Sequence, residues 1–323
     1  MLESGSSLLY PLFQLWAPAI QQQYGNISVQ PQSTGSGTGI SQASAGTVQI
    51  GASDAYMADA QIKQVQGGIL NIPTAISAQQ INYNLPGVTG NLQIDGPTLA
   101  GIFSGAVQYW DDAKIKDQNA GMTLPHEKIV PVHRTDGSGD TFIFTQYLSA
   151  TDAGWKAGPG FGTSVSWPAV AGGLGANGNA GVVQTLAQTK DSIGYVGVSF
   201  LDQATKQGLG EAKLKNQAGK YLLPTNDTIS AAAAQMIGQT PKDERVSLIF
   251  APGDNSYPII NYEYVLVKPV QPDADTALAL RSLLAWAISP TGGNADQYLS
   301  KVHFIALPAQ VLPLSKAQIA QIH

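Results

Sequence analysis

An α/β fold is predicted for this chain of 323 residues by three features: short apolar runs that read as buried strands, longer segments with apolar residues at helical spacing, and Gly- or Ser-rich turns that join one kind to the next. With 43% hydrophobic residues and 35 glycines, the chain can bury a sizeable core and has room for two lobes.

Leu8, Leu12, Leu15, Trp16, Ala19 and Ile20 fall at helical spacing, and Tyr24-Gly25 supplies a stop, so a first helix is predicted just after Ser6-Ser7-Leu8. Residues 27–30 read as a strand, 33–39 as a Gly-rich loop and 40–45 as a short helix. Val48-Gln49-Ile50-Gly51 reads as a strand that runs into Ala52-Ser53-Asp54, and ligands of open α/β sheets collect beyond such carboxyl ends. Further strands are predicted near 69–76, 129–132, 192–197 and 259–267, and helices near 97–104, 182–188, 229–237, 273–288 and 309–321. Asp140-Thr141 opens another helical pattern through Phe142, Ile143, Phe144, Tyr147 and Leu148, so His133 to Phe142 lies across a strand-to-helix turn. Asn82 to Pro86 and Asn255 to Pro258 read as crossings between lobes, giving residues 1–82 with 258–323 as lobe I and 83–257 as lobe II, with a ligand cleft between them.

Composition narrows the function. Charged residues are 12% of the chain and the formal net charge is −5, so no basic surface is expected for nucleic acid or an anionic membrane. No apolar run is long enough to span a bilayer, and no signal peptide is expected at Met1-Leu2-Glu3. The absence of cysteine removes disulfides and thiol chemistry. His126, His133, His303 and His323 lack paired spacing, so neither a metal nor a cofactor is expected. Trp16, Trp155, Trp167 and Trp286 read as packing residues.

The remaining polar motifs converge on an anion. Ser6-Ser7-Leu8, Ser36 and Ser138-Gly139-Asp140 stand beside predicted helix starts, where free N–H groups and roughly half a positive charge suit a tetrahedral oxyanion. Arg134 adds a planar charged donor that Asp136, two residues on, would hold in place. Asp54 is a carboxylate among these donors, which makes sense for a ligand that carries a proton. Phosphate offers an O–H to such a group and sulfate does not. Asp140 either caps its helix or serves as a second proton acceptor, with direct ligand contact favoured. Asn177-Gly178-Asn179 reads as a loop and cap that could also line the cleft.

Two rivals involve catalysis. Ser138 in Asp-Gly-Ser-Gly would be the nucleophile of a hydrolase, but the G-x-S-x-G elbow is missing and no histidine is assignable as base. A phosphatase is the other, and the lack of a metal-ligand cluster counts against a metal-dependent one.

In order along the chain, Gly5 to Pro11, Gly35-Ser36-Gly37, Ile50 to Asp54, Trp110-Asp111-Asp112, His133 to Phe142, Gly175 to Gly178, Ile193 to Val196 and Tyr257-Pro258-Ile259 closely resemble the PstS family of phosphate-binding proteins. The resemblance covers nearly the whole chain, and its DGSGDTF and YPIINYEY segments are similar to those of the mycobacterial phosphate-binding lipoproteins. It implies a two-lobed type II periplasmic-binding fold, no enzymatic activity, and a monomer that binds inorganic phosphate and serves ABC permease subunits. It implies phosphate contacts at Ser6, Ser7, Leu8, Ser36, Asp54, Arg134, Ser138, Gly139 and Asp140, with Asp136 behind Arg134. Many members have threonine at the position of Asp140, so here a carboxylate replaces a hydroxyl. The resemblance also implies an extracytoplasmic site of action and an N-terminal lipid anchor, with the chain read as a mature domain carrying an added Met1. Within this fold, arsenate and sulfate are the alternative oxyanions.

Overall fold

The computed structural model describes residues 1–323, and its chain order alternates strand and helix as the sequence predicts. The elements that position the functional residues are β1 (Glu3–Gly5), α1 (Tyr10–Tyr24), α2 (Ser36–Ala45), β2 (Ile50–Ser53), β3 (Leu70–Asn84), α3 (Gly96–Ser104), β4 (Val130–Arg134), α4 (Gly139–Thr151), β5 (Leu174–Ala176), α5 (Gly178–Gln188), β6 (Ser192–Gly197), α6 (Asn226–Met236), β7 (Ile260–Val267), α7 (Ala274–Ala287) and α8 (Leu312–Ile319).

Two compact units form. Unit 1 is Met1–Ser77, Met236–Ser247 and Asn261–His323, and unit 2 is Ala78–Gln235 and Leu248–Ile260. The chain changes units at 77/78, 235/236, 247/248 and 260/261. Residues 78–82 go with unit 2 because Gln79 N–H donates to Ile259 O (3.1 Å) and Gln79 O accepts from the Tyr257 hydroxyl (2.8 Å). Residues 236–247 return to unit 1, which the sequence reading did not foresee. There Glu244 is fully buried, its carboxylate accepts from Ser315 Oγ and Gln318 Nε2, each at 2.6 Å, and its backbone carbonyl accepts from Tyr264.

In unit 1, β1 pairs parallel with β2 (Glu3↔Ile50 to Gly5↔Ala52), and β2 pairs antiparallel with β7 (Tyr264↔Ser53 to Leu266↔Gly51). Strand β1 was missed by the sequence reading because it is three residues long and carries no apolar run. Conversely, residues 27–30 form no strand. Ile27 and Val29 are buried, but only one bridge forms, Leu2↔Gln30. Leu12, Phe13, Trp16 and Ile20 bury one face of α1, and Trp16 Nε1 donates to Gly293 O at 2.9 Å.

Helix α2 begins at Ser36, four residues before the predicted start, because Gly35 adopts φ 88° at its N-cap. It lies close on the β1–β2 pair. A Cβ on Gly39 would stand 2.6 Å from Ala52 O and 2.7 Å from Ser4 O, and one on Gly51 would stand 2.5 Å from Gly39 O. Substituting Gly39→Ala should cost about 1–3 kcal/mol in urea unfolding even though alanine favours a helix, because rigid backbone must move. A stabilised variant would show that this contact is not tight.

In unit 2, residues 79–84 of β3 pair antiparallel with β6, β4 pairs parallel with β6, and β5 pairs parallel with β4. Val132, Val182, Val183, Leu186 and Val196 form a buried cluster beneath α5. Phe144 stacks on Tyr195 at 4.5 Å, which fixes α4 against the sheet and sets the direction of its N-terminus.

Candidate functional site

The predicted residues assemble into two groups, one in each unit. In unit 1 the turn from β1 to α1 carries Ser6, Ser7 and Leu8, the N-terminus of α2 carries Ser36, and the end of β2 delivers Asp54. All are buried. Ser6 Oγ donates to Asp54 Oδ1 in a very short hydrogen bond, and Ser36 Oγ donates to Oδ2 at 3.3 Å. Each carboxylate oxygen thus holds one hydroxyl. Ser6 Oγ also accepts the N–H groups of Leu8 (3.1 Å) and Leu9 (3.0 Å), so it closes the entry to α1 as a capping hydroxyl does. The Leu8 N–H predicted to face a ligand points to Ser6 in this structure.

In unit 2, β4 ends at Arg134, which is 3% exposed. Its Nε donates to Asp136 Oδ1 at 2.6 Å, Nη2 donates to Asp136 Oδ2, and Nη1 donates to Asp140 Oδ2 at 2.7 Å. A guanidinium has five N–H groups. Three are used here, which leaves two. Asp136 also accepts the Gly178 N–H (3.2 Å), tying the start of α5 to the clamp.

Ser138 is the cap of α4: its Oγ accepts from Thr141 N at 3.1 Å and keeps its own proton to donate. Asp140 lies in the first turn, so its carboxylate does not cap the helix. Its Oδ2 takes Arg134 Nη1 and Asn179 Nδ2 (2.7 Å), and its Oδ1 takes Gln79 Nε2 (3.3 Å). Gly139 and Asp140 contribute the first-turn amides of α4, which have no intrahelical partners.

Burial and charge act oppositely here. Burial works against the Arg134 charge, but Asp136 and Asp140 more than offset it, so Arg134 stays protonated. Burial alone would raise the Asp136 carboxyl, yet the Arg134 guanidinium beside it holds it below its usual range. Asp140 is pushed up by burial, against the pull of Arg134, Asn179 and Gln79.

Gln79, Asn179 and Tyr195 were not assigned to the site from sequence. Gln79 lies beyond the predicted end of its strand near 76, and it and Gln80 are both fully buried. Asn179 sits in the motif read as a loop and cap. Tyr195 OH contacts Arg134 N (3.0 Å) and Thr141 Oγ1 (2.7 Å). His133 is half-buried and stacks on Trp167 (4.8 Å between centroids), with Nδ1 donating to Arg134 O. No group of three or more His, Cys, Asp or Glu side chains is placed to hold a metal ion, and no helix is long and apolar enough to cross a membrane.

Comparison with known proteins gives a consistent answer. A family model described as "PBP superfamily domain" matches residues 2–291. The phosphate-binding protein PstS of Xylella fastidiosa is 35% identical over 96% of this chain and 82% of its own length. Phosphate-binding protein PstS 2 of Mycobacterium tuberculosis is 34% identical over 71% of this chain and 61% of its own length. The structure of a high affinity periplasmic phosphate-binding protein bound with phosphate at pH 8.5 superposes with a TM-score of 0.76 at 22% identity, covering 100% of this chain and 92% of that one. That likeness identifies the fold as the two-lobed type II periplasmic-binding fold.

Proposed function

Because the chain belongs to the PstS phosphate-binding proteins of the PBP superfamily, we propose that it captures inorganic phosphate outside the cytoplasm and delivers it to the permease subunits of an ABC transporter. It acts as a binding protein and not as an enzyme, as a monomer, tethered by an N-terminal lipid. A single phosphate takes ligands from both groups of residues. Ser6, Ser7, Leu8, Ser36 and Asp54 come from unit 1, and Arg134, Ser138, Gly139 and Asp140 from unit 2, with Asp136 holding Arg134.

The observation that carries this reading is the buried Asp54 carboxylate set among hydroxyl donors. An aspartate in a donor-rich anion site repels a fully ionised oxyanion and accepts a hydrogen bond from one that keeps a proton. The two remaining N–H groups of Arg134 and the hydroxyl of Ser138 supply donors to the other oxygens. Each charge-assisted bond contributes about 1.5–3 kcal/mol. Several together reach the roughly −8 kcal/mol of micromolar binding.

Calorimetric titration of phosphate-stripped protein at neutral pH tests this. One-to-one phosphate binding with little response to sulfate is expected, and Asp54→Asn should narrow the phosphate-to-sulfate ratio by about tenfold or more. No phosphate binding by folded, ligand-free protein defeats the reading. So does sustained phosphoester hydrolysis that Ser138→Ala abolishes.

A further inference from the structure

Asn179 is fully buried, and its orientation is fixed from behind: its Oδ1 accepts the Gly197 N–H at 2.8 Å, which only an acceptor can do. Its Nδ2 is therefore turned to Asp140 Oδ2, 2.7 Å away, and can only donate. Arg134 Nη1 donates to the same oxygen at 2.7 Å. With two donors on it, Oδ2 has no place for a proton. Oδ1 is less occupied, since Gln79 Nε2 approaches it at 3.3 Å while donating to Asp140 O at 3.0 Å.

We propose that Asn179 is a positioning residue that keeps the Asp140 carboxylate an acceptor, so that unit 2, like unit 1, offers the ligand a carboxylate oxygen that only an O–H satisfies. The inference rests on the phosphate-binding reading and adds to it the residue that sets Asp140 as a proton-reading group. Arg134 with Asp136 and Asp140 sums to one negative charge, so an oxyanion with no proton is disfavoured at this group too. Dihydrogen phosphate has one O–H for Asp54 and a second for Asp140. The charged and titratable groups facing Asp140 are Arg134 and Asp136, from β4 and the loop after it, and Tyr195 from β6. Gln79 from β3 and Asn179 from α5 are neutral. Tyr195 stays neutral because burial pushes its phenol up.

The isosteric Asn179→Asp replaces this donor with a second acid, and two adjacent carboxyls share one proton until pH removes it. In calorimetric titrations with inorganic phosphate, the ratio of variant to parent affinity should fall about tenfold or more between about pH 5.5 and about pH 8.5. Adding Asp140→Asn returns the site to one carboxyl and should abolish that extra pH dependence. A pH-independent loss, or an equal loss in both backgrounds, reduces Asn179 to a packing residue and overturns the inference. If Asn179→Asp does not fold, Asp140→Asn alone decides: it should weaken phosphate most at low pH, where the dihydrogen form dominates, and an unchanged pH profile overturns the inference. A parent protein that binds no phosphate defeats the functional reading instead, so the two failures are distinguishable.

Discussion

Replacing Arg134 with alanine should destabilise the protein by about 3–5 kcal/mol at neutral pH and weaken phosphate binding by about 100-fold or more. The stability loss follows from what stays behind. Asp136 and Asp140 are both held by this one guanidinium, and Asp140 is 1% exposed, so the variant keeps two carboxylates with no cation between them. Removing one partner of a buried pair costs the desolvation of the other as well as the attraction. The binding loss follows from the two N–H groups that the clamp leaves for the ligand.

The stability effect has a predicted pH dependence. Arg134 depresses the Asp136 carboxyl, so its stabilisation is present above the ordinary value of 3.8 and is lost as pH falls through the folded-state value. Urea unfolding of parent and variant should therefore differ most at neutral pH and converge in acid. Equal stability at neutral pH would show that the clamp contributes nothing to folding. Arg134→Lys should fare little better in binding, since an ammonium cannot present parallel donors to Asp136 and to a ligand at once.

Glu3→Gln should do the opposite and stabilise the protein above neutral pH. Glu3 lies on β1 and is fully buried, and the Gln32 backbone beside its carboxylate only partly offsets that burial. Burial pushes its carboxyl up to about 8, against an ordinary 4.5. Because the folded-state value is the higher one, the folded protein holds this proton across that window while the unfolded chain has released it. Its contribution is therefore full below about 4.5 and declines as pH rises to about 8. At about 1.4 kcal/mol per pH unit, the decline amounts to roughly 5 kcal/mol as an upper bound. Glutamine keeps the shape and has no proton to lose, so a gain of about 2–4 kcal/mol is expected above pH 8 once its own unpaired amide is counted. Glu211 and Glu244, both raised by burial to about 7, titrate in the same range, so the comparison of variant with parent isolates Glu3. Melting temperatures of the two proteins that run parallel from acid to alkaline pH would rule Glu3 out as the titrating group.

Features encoded within a few residues were legible in the sequence. The periodicities of α1, β6, β7 and α7 gave the fold class, because burial of one helix face or a whole strand requires a local apolar pattern. The Arg134–Asp136 pair two residues apart and Asp54 at a strand end belong to the same kind of feature. Ser6, Ser36 and Asp54 came from three separate motifs. Helix-start chemistry and the resemblance to a family suggested one ligand for them, and the structure brings them into contact across 48 and 18 residues.

Tertiary structure alone decided the rest, since the partner of each remaining group lies far along the chain. Asn179 reaches Asp140 across 39 residues and Gln79 across 61, and no local spacing marks either one. Strand β1 exists because Ile50 to Ala52 pair with it, and residues 27–30 are not a strand because only Gln30 forms a bridge. Residues 236–247 join unit 1 because Ser315 and Gln318 satisfy the carboxylate of Glu244 there. Apolar pattern and capping are properties of a short segment and determine which elements form. Pairing of strands and satisfaction of buried polar groups require a second segment, so those assignments exist only in the folded chain.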